Sequence, residues 1–435
     1  MKNKLIDEIS IFWFRRDLRL KDNIGLYNAL KRNRDVILLF IFDENIINDL
    51  KEDDPRITFI YKLLEEISEQ IKPFNSNLLI KKGKPLEIIE QLTKEYNISK
   101  IYANKEYEPY SIKRDNQIEH YLSNINISFE RFNDHLFFDP TEVYSNQSKP
   151  YTLFTPYSKK WLNAKENKGI NYFQSENYLH SLMPIQLTFP SLSELGFKTN
   201  NYNFPDNKIN EHNIINYTNN RDYPYLDATS HLSIHLRYGS ISIRECVDIG
   251  SKLSNKWLNE LIWRDFYASI LYHFPEVENK AFKKKYDGIV WENNQEYFAK
   301  WCNGETGYPI IDAGMKQLNE SGFMHNRVRM LTASFLTKHL LIDWKWGEAY
   351  FAEKLLDFDL ASNNGGWQWS AGTGCDAVPY FRIFNPIAQQ KKYDLDFEYI
   401  NKWIKGFNET KYIKPIVDHV KARESYLQMM SAINK

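Results

Sequence analysis

Two kinds of hydrophobic pattern follow one another along the chain, and the change between them falls near residue 206. Up to about residue 132, short β-branched and aromatic runs alternate with segments that carry an apolar residue at every third or fourth position. The short runs predict five strands, at residues 9–14, 36–42, 78–80, 100–103 and 127–132. Because strands that alternate with helices form parallel sheets, we expect an α/β domain with a five-stranded parallel doubly wound sheet.

The clearest helical pattern of this first part covers residues 55–71. Its apolar side chains fall on one face, Pro55 suits the first turn, and Asp53 or Asp54 can cap the first backbone N–H groups.

From residue 206 onward the pattern predicts only helices, at residues 252–274, 307–320, 326–341 and 348–356. Residues 357–386 are expected to form a loop, because this stretch combines Trp, Asn and Asp with paired glycines. Such a loop suits a flat polar ligand. The chain is therefore expected to contain an α/β domain (1–132), an interdomain linker (133–205) and an all-α domain (206–435).

Composition limits the classes of protein to which the chain can belong. With 56 basic and 56 acidic residues the formal net charge is zero, so contact with a nucleic acid requires a local basic surface. Three scattered cysteines do not suit a disulfide framework or a zinc site. Since no apolar run approaches the length of a membrane span or a signal core, we expect a cytoplasmic protein without membrane contact.

The first strand is followed by FRRDLRLKDN, with neither a glycine-rich dinucleotide motif nor a Walker A motif. We interpret Arg15, Arg16, Asp17 and Arg19 as an ion-pair network that ties the edge of the sheet to the second domain.

Candidate chemistry begins on the helix that contains NKWLNELIWRDFY. Helical spacing places Trp257, Glu260, Arg264 and Tyr267 on one face, with Trp263 beside Glu260. A ligand site and a domain-interface helix with a buried ion pair explain this spacing about equally well.

A second candidate is the segment GFMHNRVRM. Asn326, Arg329 and Met330 share a helix face; Arg327 suits a phosphate or carboxylate, and Asn326 suits the polar edge of a heterocycle. A capped helix start with Met330 in the core explains the methionine but not the two arginines together with the asparagine.

The remaining candidates lie in or before the predicted loop. Asp357 and Asp359 have no histidine at ligand spacing, so they suit hydrogen bonds to ligand hydroxyls or a ring N–H better than a metal, and Arg329 can balance one charge. Trp367 and Trp369, two residues apart, point in different directions. Further upstream, hydroxyl side chains at a possible helix start suit a phosphate.

Together, five segments resemble the photolyase/cryptochrome flavoproteins: FWFRRDLRLKDN, ELIWRDFY, TGYPIIDAGMKQL, HNRVRMLTASFL and NNGGWQWSAGTGCDAVPYFRIFNP. The resemblance spans most of the chain. Within the family, the chain resembles the class I cyclobutane pyrimidine dimer photolyases in particular. It implies an α/β domain and a helical FAD domain. It also implies light-driven repair of dimers in double-stranded DNA by an electron from reduced FAD, in a monomer associated with the bacterial nucleoid through DNA.

Carried over by position, the resemblance implies three sets of residues. FAD is expected to contact Tyr217, Thr229, Ser230, Leu232, Ser233, Trp257, Arg264, Asn326, Arg329, Asp357, Asp359 and Asn363. The flipped dimer and nearby DNA are expected to contact Arg221, Glu260, Trp263, Asn326, Arg327, Met330 and Trp369. In catalysis Glu260 would stabilise the dimer radical anion, Asn363 would lie near flavin N5, and electrons would pass along Trp367, Trp344 and Trp291, with Trp301 and Trp346 as packing residues.

Several alternatives stay open. Where folate-using relatives carry Asn-Glu, this chain has Tyr110-Ser111, so a second antenna chromophore has an unknown identity or is absent. A cryptochrome that signals without repair keeps the FAD site but usually alters the dimer pocket. A (6-4) photolyase is expected to have histidine at the Asn326-to-Met330 positions, and the run HNRVRM has its histidine before them. A nucleotide-binding α/β enzyme would need a phosphate loop, which is missing from this sequence.

Overall fold

The computed structural model describes residues 8–433, which form two compact units that interleave along the chain. The first unit comprises Met1–Glu142, Asn163–Ile209 and His231–Lys252, and the second comprises Val143–Leu162, Asn210–Ser230 and Leu253–Lys435. Residues 133–205, expected from the sequence to be a linker, are thus divided between the two units.

The first unit contains a five-stranded, all-parallel sheet in the order β3-β2-β1-β4-β5, which confirms the predicted fold class. Its strands are β1 (Ile9–Phe14), β2 (Val36–Asp43), β3 (Leu79–Gly83), β4 (Ile98–Asn104) and β5 (Ser128–Phe132). Every residue of β1 and β2 is buried, as expected of central parallel strands covered by helices on both faces.

The helices along the first part of the chain are α1 (Ile24–Arg32), α2 (Glu44–Ile47), α3 (Pro55–Ile71), α4 (Pro85–Glu95), α5 (Pro109–Asn124) and α6 (Phe154–Lys168). Helix α3 has the predicted bounds. Its N-cap is Asp54, whose carboxylate accepts a hydrogen bond from the backbone N–H of Arg56.

The middle of the chain adds α7 (Glu211–Ile215), α8 (Tyr217–Asn220), α9 (Ser233–Tyr238) and α10 (Ile243–Leu253). The second unit continues with α11 (Asn255–His273), α12 (Gln295–Asn303), α13 (Pro309–Ser321), α14 (Asn326–Lys338), α15 (Trp344–Lys354), α16 (Leu360–Ala371), α17 (Pro386–Tyr393), α18 (Glu398–Trp403) and α19 (His419–Ile433). The predicted helical C-terminal region is confirmed.

The helix predicted at residues 252–274 is confirmed as α11 but begins later than expected, because the Ser254 hydroxyl caps α11 by accepting from the N–H of Trp257. One prediction about local structure is wrong. The stretch predicted as a loop contains helix α16. Asp359 caps its start by accepting from the N–H of Ser362, and Gly372 ends it at a φ of 88°. Asn and Gly are weak helix formers, and capping together with tertiary packing overrides their propensity.

The predicted ion-pair network at residues 15–19 is present. Arg15 pairs with Asp115 at 2.7 Å, Arg16 pairs with Glu108, and Arg19 pairs with Asp134 at 2.7 Å. The network extends to Arg237, Gly239 and Arg244, which follow residue 206 in the chain but belong to the first unit.

Candidate functional site

The candidate site is built on α11, α14 and α16 of the second unit. Helix α16 packs closely against α11 because Gly365 has no side chain, and a Cβ there would lie 2.2 Å from the ring of Tyr267. A Cβ on the next residue, Gly366, would meet nothing within 4 Å. A mid-helix glycine costs stability, so one that borders open space is typical of a surface approached closely by a ligand.

Glu260 on α11 forms an ion pair with Arg221, whose guanidinium lies 5.1 Å from the ring centre of Tyr217. Burial and the Glu260 carboxylate raise the pKa of Tyr217 above its ordinary value of 10.0, so the phenol stays a hydrogen-bond donor at neutral pH. Glu260 and Arg221 are both partly exposed.

At the start of α14, Arg327 donates to Asp222 at 2.6 Å and lies 4.6 Å above the ring of Tyr393. Since Asp222 directly follows Arg221 in the chain, this dipeptide links Glu260 on α11 with Arg327 on α14. The structure therefore brings together two groups of residues that the sequence offered separately.

Asn326 and Met330 lie one turn apart on α14, with the Asn326 amide nitrogen 4.0 Å from the Met330 sulfur, and Asn326 is exposed. His325 caps the helix by accepting from the N–H of Arg327. Burial, with Arg327 and Arg329 nearby, lowers the pKa of His325 to about 4, so this imidazole is neutral at physiological pH.

The two aspartates before α16 have different partners. Arg329 donates to both carboxylate oxygens of Asp357, at 2.9 and 3.2 Å, so the predicted charge balance is present. Asp359 instead caps α16. Of the pair, Asp357 therefore holds a guanidinium in place and Asp359 holds a helix terminus.

Glu348 on α15 is a residue that sequence reasoning missed. The side-chain amide of Asn363 donates to its carboxylate and to its backbone carbonyl, both at 3.1 Å. No described residue donates to the Asn363 amide oxygen, which leaves that oxygen available to a ligand N–H. Burial raises the pKa of Glu348 to about 7. No sequence signal marks this glutamate, because its partner lies on another helix.

The two predicted dimer-facing tryptophans differ in their surroundings. Trp263 stacks on Phe154 with ring centres 3.7 Å apart and planes 2° apart. Trp369 is partly exposed, and no aromatic ring of residues 8–433 lies against it. Phe154 lies 109 positions before Trp263 in a segment without clear periodicity, so no sequence pattern selects it.

The predicted electron relay is only partly visible as ring contacts. Trp367 is buried and lies 5.0 Å from Phe351 and 6.1 Å from Trp301. Between Trp367 and Trp344, both within the described part of the chain, there is no direct ring contact. Trp301, predicted to be a packing residue, is thus the indole neighbour of Trp367.

The remaining predicted cofactor residues lie in both units. Trp257, which is buried, and Arg264 are on α11, and the Thr229 carbonyl accepts from the side-chain amide of Asn213 at 3.2 Å. Ser230 also belongs to the second unit, whereas Leu232 and Ser233 belong to the first. Helix α9 starts at Ser233, and its N-cap is Leu232, which forms no side-chain capping bond.

Within residues 8–433, no cluster of three or more His, Cys, Asp or Glu side chains is arranged to hold a metal ion. Over the same range, none of the helices combines the length and apolar character needed to span a bilayer.

Comparison with known proteins agrees with this geometry. Residues 10–173 match the family model of DNA photolyase, and residues 257–411 match the FAD binding domain of DNA photolyase. The chain is 36% identical over 426 residues to the deoxyribodipyrimidine photo-lyase of a Synechococcus species, covering 91% of this chain and 87% of that one.

Two solved structures share the fold of this chain. A bacterial class III photolyase from Agrobacterium tumefaciens superposes with a TM-score of 0.87 at 29% identity, covering 100% of this chain and 99% of that one. A Synechocystis cryptochrome superposes with a TM-score of 0.82 at 25% identity, over 98% and 100% of the two chains.

These similarities extend over nearly the whole chain, and the matched FAD binding domain includes helices α11, α14 and α16, on which the candidate site is built. The chain is therefore an FAD-binding lyase of DNA repair and belongs to the DNA photolyase family.

Proposed function

We propose that the protein repairs cyclobutane pyrimidine dimers in double-stranded DNA under blue light. The observation that carries the proposal is the link through Arg221 and Asp222, which joins Glu260 on α11 to Arg327 on α14. This link joins Glu260 and Arg327, two of the residues expected to face the lesion; the others are Trp263, Asn326 and Met330.

FAD suits the described residues of the second unit. Gly366 leaves open space, the Asn363 amide oxygen lacks a protein donor, and Arg329 holds Asp357 in place. Tyr217, Trp257, Arg264, Arg329, Asp357 and Asn363 are the residues proposed to hold the cofactor there. When bound and reduced, FAD supplies on illumination the electron that splits the cyclobutane ring.

The protein's own groups bind and orient the lesion. Arg221 and Arg327 are partly exposed cations that suit DNA phosphates. Trp263 and Trp369 offer flat apolar faces to a flipped dimer, whose extrusion costs least where base pairing is already damaged. In the proposed function Glu260 hydrogen-bonds the dimer and stabilises the charge that develops on it; its partial exposure supports this role.

The aromatic residues near Trp367 suit electron supply from the protein surface. We infer that Trp367 is the first residue of the relay, with Trp344 and Trp291 as the further members. The Trp367 ring contacts Trp301 and not Trp344. Phe substitutions at each of these positions test the order of electron transfer.

The test uses purified protein with FAD and reductant, and an oligonucleotide that contains one thymine dimer. Blue light is expected to restore the two thymines, and the dark sample serves as the control. The likeness to a cryptochrome supports a second candidate, light signalling without repair. Bound FAD with no light-dependent repair would favour that candidate and contradict the proposal.

A further inference from the structure

One close aromatic stack in the second unit involves a residue with no assigned role. The Phe154 ring lies face to face with the Trp263 indole, with ring centres 3.7 Å apart and an interplanar angle of 2°. Both side chains are partly exposed, so the stack belongs to the border of the candidate site and is not buried in the core.

Three contacts fix the position of Phe154. Its backbone N–H, at the first residue of α6, donates to Asp376 at 3.2 Å. Further along α6, the Trp161 indole donates to Asp265 on α11 at 2.9 Å, and the Tyr157 ring lies 5.2 Å from Phe266. The start of α6 is thus fastened both to α11 and to the segment that follows α16.

Three aromatic rings contact Trp263. Phe154 covers one face of the indole, Phe266 approaches at 79° with ring centres 5.6 Å apart, and Tyr267 lies tilted at 33°. Because Phe154 occupies one indole face, a planar ligand cannot stack on that face.

We propose that Phe154 is a positioning residue, which holds the Trp263 indole in the orientation that receives the flipped dimer. The inference rests on the proposed repair function. Without Phe154 the indole gains rotamer freedom, and binding has to order it again. The cost of immobilising one large side chain corresponds to a dimer affinity about three- to tenfold weaker.

The experiment compares Phe154→Leu, which keeps apolar volume but removes the flat ring, with the matched variant Phe154→Tyr, which keeps the ring. The dissociation constants of each holoenzyme for an oligonucleotide with one thymine dimer and for the same undamaged oligonucleotide are measured, together with FAD content. Phe154→Leu is expected to weaken dimer binding about three- to tenfold at unchanged FAD content and unchanged affinity for undamaged DNA. Phe154→Tyr is expected to retain wild-type binding.

A double-mutant cycle shows whether Phe154 acts through Trp263. In a Trp263→Ala background, Phe154→Leu is expected to have no further effect on dimer binding. The inference is overturned if the loss persists in that background, if the Leu variant binds the dimer like wild type, or if it loses FAD. A wild-type holoenzyme without any preference for the dimer would instead overturn the proposed function itself.

Discussion

Both compact units pair arginines with carboxylates, but the exposure of the pairs differs. In the first unit, the Asp134 side chain is 0% exposed and lies between Arg19 and Arg244, at 2.7 Å from each. In the second unit, Arg221 and Glu260 are 18% and 32% exposed, and Arg327 and Asp222 are 17% and 39% exposed.

The difference separates residues that hold the fold from residues that can serve a ligand. A buried pair has already lost its hydration, so removing one partner leaves an uncompensated charge. A pair that keeps part of its surface in water costs less to open than a fully buried pair. Arg221 and Arg327 are therefore the arginines of the second unit that we expect DNA phosphates to reach.

The largest effect on stability is expected from Asp134→Asn. Burial alone would raise the pKa of Asp134, but Arg19 and Arg244 hold it below its ordinary value, so the carboxylate is charged in the folded protein. Loss of that charge is expected to lower the free energy of unfolding of the first unit by about 3–5 kcal/mol. Urea denaturation measures this change.

The matched control is Glu130→Gln. Glu130 pairs with Arg32 at 2.9 Å on the same unit, with side chains 26% and 51% exposed. A change below about 1 kcal/mol is expected. Equal effects of the two substitutions would break the distinction between buried and exposed pairs.

A smaller effect, and one that depends on pH, is expected at Glu348. Because burial raises its pKa from 4.5 to about 7, the folded protein binds a proton that the unfolded chain has released in this range. Wild type should therefore lose about 2 kcal/mol relative to Glu348→Gln as pH rises from about 4.5 to about 7. Parallel stability curves for the two proteins would show that this carboxyl is not buried as described.

Asp357→Asn is expected to change cofactor binding more than folding. The amide oxygen still accepts from Arg329, but the charge-assisted contact is lost. FAD affinity is expected to fall about tenfold, with about 1 kcal/mol lost from the free energy of unfolding. Release of FAD followed by its fluorescence measures the first quantity. Glu353→Gln, at an exposed pair with Lys354, is the control and should leave FAD binding unchanged.

The fold could be predicted from periodicity because burial in parallel strands and amphipathic helices produces regular patterns. The five strands and helix α3 follow such patterns closely. Helix α16 could not be recognised, since its Asn and Gly residues disfavour a helix in isolation, and only the packing of Gly365 on Tyr267 explains its place.

The site was predictable only where a motif marks it. The Arg329–Asp357 pair joins two residues that the sequence had suggested as charge partners, and the structure brings them within 2.9 Å. Glu348 and Phe154 carry no motif and no periodic signal, because the role of each depends on a contact with a residue on another element. Side-chain pairing across elements is therefore the information that required a structure.

The most direct test of the central claim is the substitution Glu260→Gln, measured for both repair and stability. The partly exposed pair with Arg221 predicts a change below about 1 kcal/mol in the free energy of unfolding. Loss of the carboxylate from the lesion site predicts a fall of about tenfold or more in dimers repaired per absorbed photon, at unchanged FAD content. Unchanged repair, or a loss of repair explained by unfolding or by loss of FAD, would contradict the account.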